Sequence, residues 1–351
     1  MAEKFKFDVV IGNPPYQEEA AIEGGRAEPI YHMFFEEAYK IAKRVSFITP
    51  ARFLYNAGQT PKAWNKKMLE DNHLKIEYYE HDSSKVFSNT NIIGGVAVTY
   101  RDENTDFGAI GTFTAFSELN SILRKVTGSN FTSFSNIVSN QIIYKYTDKL
   151  HDDFPEVRRI LSKEDDYVVR SNAFDKLGMI FFDKKPDDGN LYIQLLGLQN
   201  NKRVFKWVRQ DYISQHESFA KYKVFVSAAN GASGTLCDSA ARMISTPLLG
   251  SPNVGTTQTF LSIGSFEKEQ EANAALKYIL SKFARVLLGV LKVTQHNPPE
   301  KWKYVPLQDF TAASDIKWSK SIREIDQQLY KKYGLDANEI DFIESHIKEM
   351  E

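Results

Sequence analysis

Four consecutive residues, Asn13-Pro14-Pro15-Tyr16, carry the most chemically specific arrangement in the sequence. They follow the short β-branched run Phe7-Asp8-Val9-Val10-Ile11-Gly12, which reads as a buried strand. Pro14 has no N–H to donate, and Pro15 keeps Pro14 out of the helical region, so the strand must end in a rigid corner. The Asn13 side-chain oxygen and the Pro14 carbonyl can then point the same way, with no local donor to satisfy them. Two convergent acceptors suit an NH2 group with its two donors. Tyr16 adds a flat face for a planar ring. An exocyclic amine on an aromatic base fits both requirements.

The elements around this corner follow from periodicity. Tyr31, Phe34, Phe35, Ala38, Ile41 and Ala42 recur at helical spacing, with Pro29 suited to the first turn. Tyr31, Phe34 and Phe35 fit a core helix face. Val45 to Thr49 forms a second strand that stops at Pro50, and a helix carrying Trp64, Met68 and Leu69 follows. Leu74–Tyr79 and Gly95–Tyr100 supply two further strands, the last one antiparallel. This order reads as α/β, the second half of a doubly wound, Rossmann-like sheet. Such a domain holds its cofactor at the carboxyl ends of its first strands, usually through a Gly-rich turn. No such turn precedes Phe7.

From residue 107 to 150 the text is helical and polar, a bridge to a different region. Strands are expected at Tyr192–Phe205, Lys221–Ala228 and Thr257–Ile263, among Gly-, Ser- and Asn-rich loops. One long helix is expected from Glu267 to Val293, with Ala272, Ala275, Leu276, Ile279, Leu280, Phe283, Val286 and Leu287 on one stripe. Two closing helices follow, over Ser321–Tyr333 and Ala337–Glu349. Gly334 ends the first, and Asp336 with Glu339 makes a capping box for the second. The expected division is 1–106, 107–150 and 151–351, a partial α/β domain joined to an α+β domain.

Composition narrows the function classes. With 42% hydrophobic and 25% charged residues, the 351-residue chain is ordinary globular protein. Lys+Arg is 44 against Asp+Glu 45, so any nucleic-acid surface must be local. A single cysteine, Cys237, excludes a disulfide framework and an all-cysteine zinc site. The chain lacks a signal peptide and a membrane span, which points to a soluble cytoplasmic protein. Two windows are locally basic. One contains Lys202, Arg203, Lys206, Arg209, Lys221 and Lys223; the other runs from Lys277 to Lys303 and includes Lys292 and Lys301. Trp207, Tyr212, Tyr222 and Trp302 are interleaved with them. Both windows are candidate duplex-contacting surfaces, phosphates giving affinity. His216 and His296 lack spaced partners, so no metal site is expected.

The segment FDVVIGNPPYQ resembles motif IV of the N6-adenine DNA methyltransferases of restriction–modification systems, in particular the TaqI-like, gamma-type group. YHMFFEEAYKIAKRVSFITPARFL is similar to the helix–strand unit of motifs V and VI, and KVFSNTNIIGGVAVTYR to motif VIII. KVFVSAANGASG, VTQHNPP and KYVPLQDF resemble wording of the group's target-recognition domain. The resemblance implies a site-specific adenine-N6 methyltransferase that flips its target base out of the duplex. Asn13 and the Pro14 carbonyl would accept from N6–H, Pro15 would hold the corner, and Tyr16 and Phe87 would stack on the two faces of the base. It implies S-adenosyl-L-methionine as methyl donor and no metal. It also implies double-stranded DNA and a cognate restriction endonuclease as partners.

The group's cofactor motifs have no counterpart here, so the cofactor site is expected to be incomplete. The only strand followed by a Gly-rich turn, Lys221 to Ala229 with Asn230-Gly231-Ala232-Ser233-Gly234, lacks the helix that should follow. The expectation is therefore a methyltransferase portion completed by a separate N-terminal half, or by a homodimer partner that covers the apolar edge of the first strand. The alternatives are a noncatalytic DNA-binding specificity module and a decayed methyltransferase fragment. Pro186-Asp187 lacks the correctly spaced Glu/Asp/Gln-x-Lys strand of a nuclease, as Gln199-Asn200-Asn201-Lys202 shows, so no cleavage activity is expected.

Overall fold

The computed structural model describes residues 6–18, 28–55, 59–88, 92, 94–128, 130–161, 166–229, 236, 240–292 and 295–350. The chain divides into two compact units, Met1–Asn120 and Ser121–Glu351. Together they make a mixed α/β molecule with several sheets.

The first unit is built on β1 (Phe7–Gly12), α1 (Tyr31–Ile41), β2 (Ala42–Pro50), α2 (Lys62–Glu70), β3 (Leu74–Glu80) and β4 (Val96–Asp102). These strands form one sheet in the order β1-β2-β4-β3. β1 pairs parallel with β2, while β4 is antiparallel to both β2 and β3. The β-branched runs give the strands, and Pro50 removes the donor that would extend β2. Tyr31, Phe35 and Ala38 of α1 are buried with Val45, Phe47, Trp64 and Met68 in one core.

Two details differ from the periodicity. Pro29 lies outside the helix, paired by a bridge with Gln17, and Phe34 points outward at 41% exposed. The apolar stripe extends one residue too far because Ala42 already belongs to β2.

Among the described strands of this sheet β1 forms one edge and β3 the other. Val10 packs towards the core, whereas Phe7, Val9 and Ile11 face out, Ile11 at 77% exposed. That alternation is what a pleated strand gives when only one of its faces is covered.

α3 (Ser117–Val126) contains the boundary between the units. Beyond it come β5 (Lys145–Tyr146), α4 (Asp148–Asp153), α5 (Val157–Ile160) and α6 (Ala173–Lys176). Next are β6 (Tyr192–Gln199), β7 (Lys202–Arg209), β8 (Ile213–Ser214), β9 (Tyr222–Ser227), β10 (Leu248–Gly250), β11 (Val254–Thr256) and β12 (Phe260–Phe266). They form sheets ordered β10-β9-β12, β11-β6-β7 and β5-β8. The helices α7 (Glu269–Leu280), α8 (Lys282–Gly289), α9 (Ile322–Lys332) and α10 (Ala337–His346) close the unit.

The expected strand over Tyr192–Phe205 is a hairpin. Asn200 and Asn201, at φ 50 and 59, turn β6 back into β7 as a two-residue left-handed turn. The expected long helix is broken at Ser281, whose backbone is extended and whose hydroxyl accepts from the Ala284 N–H. Asp326 of α9 accepts from the N–H groups of Lys282 and Phe283 and completes the new N-terminus. Gly334 sits at φ +62 past the end of α9, and the Asp336–Glu339 capping box forms. Among the described residues no helix is long and apolar enough to cross a membrane.

Candidate functional site

β1 and β2 run in parallel, so their carboxyl ends open on the same side of the sheet, and Asn13 emerges there. Asn13 and Pro15 are exposed, Pro14 is buried and Tyr16 is half-buried. The corner is fixed downstream: the Ile30 N–H donates to the Tyr16 carbonyl at 3.2 Å, and the Glu18 N–H to that of Glu28 at 3.0 Å. The proline pair therefore stops the strand, while the returning segment delivers the chain into α1.

Phe87 arrives from the β3–β4 connection. Asp82 begins that loop by accepting from the Ser84 N–H and hydroxyl, which also lowers its pKa. Ser83, buried beside it, is the hub. Its carbonyl accepts from the Phe87 N–H at 2.8 Å, and its hydroxyl accepts from the Ile92 N–H at 2.8 Å. The far end of the loop is closed by Gly95 at φ +76. An added Cβ there would lie 2.3 Å from the Glu80 carbonyl oxygen, so only glycine fits.

These supports bring Phe87 onto Tyr16. Their ring centroids are 6.4 Å apart with planes at 65°, an edge-to-face contact. The two rings touch one another rather than standing parallel. Burial pushes the Tyr16 pKa up, while the Asn13 side chain works in the other direction, so the phenol is neutral at ordinary pH. Sequence patterning does not single out Asp82, Ser83 or Gly95; the Asp-Ser-Ser run at 82–84, a common turn-initiating composition, is the one signal for them.

The basic residues of the second unit are distributed differently from the expectation. Lys223 is a correction: it is fully buried, and its ammonium donates to the carbonyls of Ser218, Phe219, Lys221 and Ser251 at 2.9–3.2 Å. Burial brings its pKa down to about 8. Lys292 is likewise buried, with its pKa pushed to about 8. Lys206 is buried and ion-paired with Asp183. Arg209 pairs with Asp211 and lies over Tyr212, and Lys221 pairs with Glu267. Arg203 donates to the Thr246 carbonyl and the Ser227 hydroxyl, and lies over the Phe260 ring. Lys202 is exposed and Lys301 half-buried. Of the interleaved aromatics, Trp302 and Tyr212 belong to the core. His216 caps the turn at Glu217–Ala220, and no metal-binding group occurs among the described residues.

A methyl donor needs a cradle of its own. Among the described residues of the first unit, neither parallel strand leads through a Gly-rich turn into a helix: β1 runs into the proline corner and β2 into the turn Ala51–Tyr55. The Gly-rich turn at 230–234 lies outside the described residues.

Residues 1–87 match the Eco57I restriction-modification methylase family. The matched stretch holds β1 with its proline corner and ends at Phe87. No curated protein matches the chain. Among solved structures it is similar to the type IIG restriction endonuclease BpuSI, with 10% identity and a TM-score of 0.33 over 97% of this chain and 53% of that one. It is also similar to the type IIL restriction-modification enzyme MmeI in complex with DNA, with 10% identity and a TM-score of 0.33 over 96% and 56%. The chain spans about half the length of both. Likeness at that level carries no argument about mechanism.

Proposed function

We propose that the chain is the base-binding and DNA-recognising portion of an adenine-N6 DNA methyltransferase of a restriction–modification system. The observation that carries this reading is the Asn13–Tyr16 corner at the carboxyl end of β1 with Phe87 against it, inside the segment that matches a restriction-modification methylase.

In this reading the target adenine leaves the duplex stack and enters beside the corner. Asn13 Oδ1 and the Pro14 carbonyl accept from the amine, holding N6 in place and leaving its electron density directed at the methyl donor. Tyr16 and Phe87 part and flank the ring. Positioning and water exclusion supply the rate. S-adenosylmethionine would supply the methyl group, from residues that the described part of the first unit does not contain. The open edge of β1 is where a cofactor-carrying segment would pair, whether from a separate N-terminal half or a partner copy.

The test is N6-methyladenine yield by mass spectrometry, using the chain, S-adenosylmethionine and unmethylated mixed-sequence DNA. Asn13→Ala should lower the yield by about 100-fold or more, the size of a lost transition-state hydrogen bond, with duplex affinity unchanged. Equal yield from Asn13→Ala would overturn the reading. No product from either protein, with duplex binding intact, would make the cofactor-carrying segment the limiting part. Supplying that segment in trans then separates this reading, which expects product that Asn13→Ala loses, from a specificity module, which expects none.

A further inference from the structure

The cations named by the sequence are largely used inside the second unit, yet one exposed surface keeps its charge free. It is formed by the β6–β7 hairpin and the segment 179–191 before it. On one side of the hairpin Ile193, Leu195 and Val208 enter the core. On the other, Phe205 is 44% exposed and Trp207, two residues along the same face, is half-exposed. Phe182 extends this face, exchanging 2.8 Å backbone hydrogen bonds with Trp207 and meeting the Tyr192 ring at 6.1 Å. Leu191, immediately before β6, is 71% exposed.

The charges decide what such a face fits. Asp183 is held by Lys206 and Asp211 by Arg209. Asp188 accepts from the Asn190 N–H and the Tyr192 hydroxyl. Lys184, Lys185 and Lys202 are all exposed, and none of them has an ion pair among the described residues; Lys185 lies 6.0 Å over the Trp207 ring. Within the segment and the hairpin the Asp187 and Asp188 carboxylates oppose these three lysines, since neutral donors leave the Asp188 charge in place, so the strip keeps a net positive charge. An apolar and aromatic strip rimmed by lysines, on a two-stranded ribbon with an exposed Asn200–Asn201 tip, has the shape and charge that a DNA groove accepts.

We infer that duplex DNA docks on this hairpin face, with Lys184, Lys185 and Lys202 on phosphates and with Phe205 and Trp207 against the sugar edge. The inference rests on the DNA reading proposed above, but it places the contact on residues different from most of those the charge pattern of the sequence named.

The experiment measures the affinity of the full chain for a short mixed-sequence duplex across a salt series. Lys184→Gln/Lys185→Gln/Lys202→Gln should flatten the log–log salt slope by up to about 2.7, roughly 0.9 for each phosphate no longer neutralised. Phe205→Ser should weaken binding several-fold and leave the slope unchanged. All four positions are exposed, so circular dichroism and Tm should match the unmodified chain. An unchanged slope in the triple variant would place the DNA elsewhere and overturn the inference. If Phe205→Ser instead lowers the mass seen by light scattering and leaves duplex affinity untouched, the face belongs to a second copy and the inference also falls. If the unmodified chain binds no duplex at any salt, it is the underlying DNA reading that fails.

Discussion

Ser83 shows how much one small side chain can organise. It reaches across its loop to Ile92 and holds the Phe87 backbone from its own carbonyl. Ser83→Ala removes one part-buried hydrogen bond and leaves the Ile92 N–H without its acceptor, a cost of about 1 kcal/mol. Hydrogen exchange at the Ile92 amide should accelerate, and the Phe87 amide should follow it. If only the Ile92 amide changes, the loop does not depend on Ser83 for the position of Phe87. Lys223 makes the opposite point at the same scale. Its charge reads as a surface feature in the sequence, but the carbonyls around it make it an internal peg.

At the level of elements, the junction of α7 and α8 is held by a buried carboxylate. Burial raises the Asp326 pKa from 3.8 to about 6, although two backbone N–H groups point at it. The folded state therefore binds this proton more tightly than the unfolded chain does. Between pH 6 and 4 the group's contribution becomes more favourable as pH falls, and above pH 6 it opposes folding by about 3 kcal/mol. Asp326→Asn lacks this dependence. Denaturant melts of both proteins should show the original chain losing stability relative to the variant as pH rises from 4 to 7. A constant difference would mean that Asp326 is not perturbed.

The same junction shows where sequence reading stops. The apolar stripe from Ala272 to Leu287 is real, because both helices bury it, but periodicity does not register the cap at Ser281 that divides them. The strands of the first unit and the proline corner were legible because β-branched runs and prolines act locally. The cations were not, because Lys206 and Asp183, or Lys221 and Glu267, meet only after the chain has folded. The family resemblance named Tyr16 and Phe87 as rings for the two faces of a base, and neither their edge-to-face contact nor the loop machinery behind it was legible.

For the whole molecule, the sheet order of the first unit matters more than its length. The family match ends at Phe87, before β4 begins at Val96. Yet β4 lies between β2 and β3 and, among the described strands, is the only one bonded to β3. A fragment ending at Phe87 would keep the proline corner and lose the strand that joins β3, and through it Phe87, to the rest of the sheet. Such a fragment should show no cooperative thermal transition, whereas one ending at Asn120 should melt cooperatively. Recombination among related genes meets the same constraint. A crossover at Phe87 would pair β3 of one parent with β4 of the other, so the seam that keeps the sheet's own contacts together lies beyond Phe113, the last residue of the core cluster that holds Phe35 and Trp64.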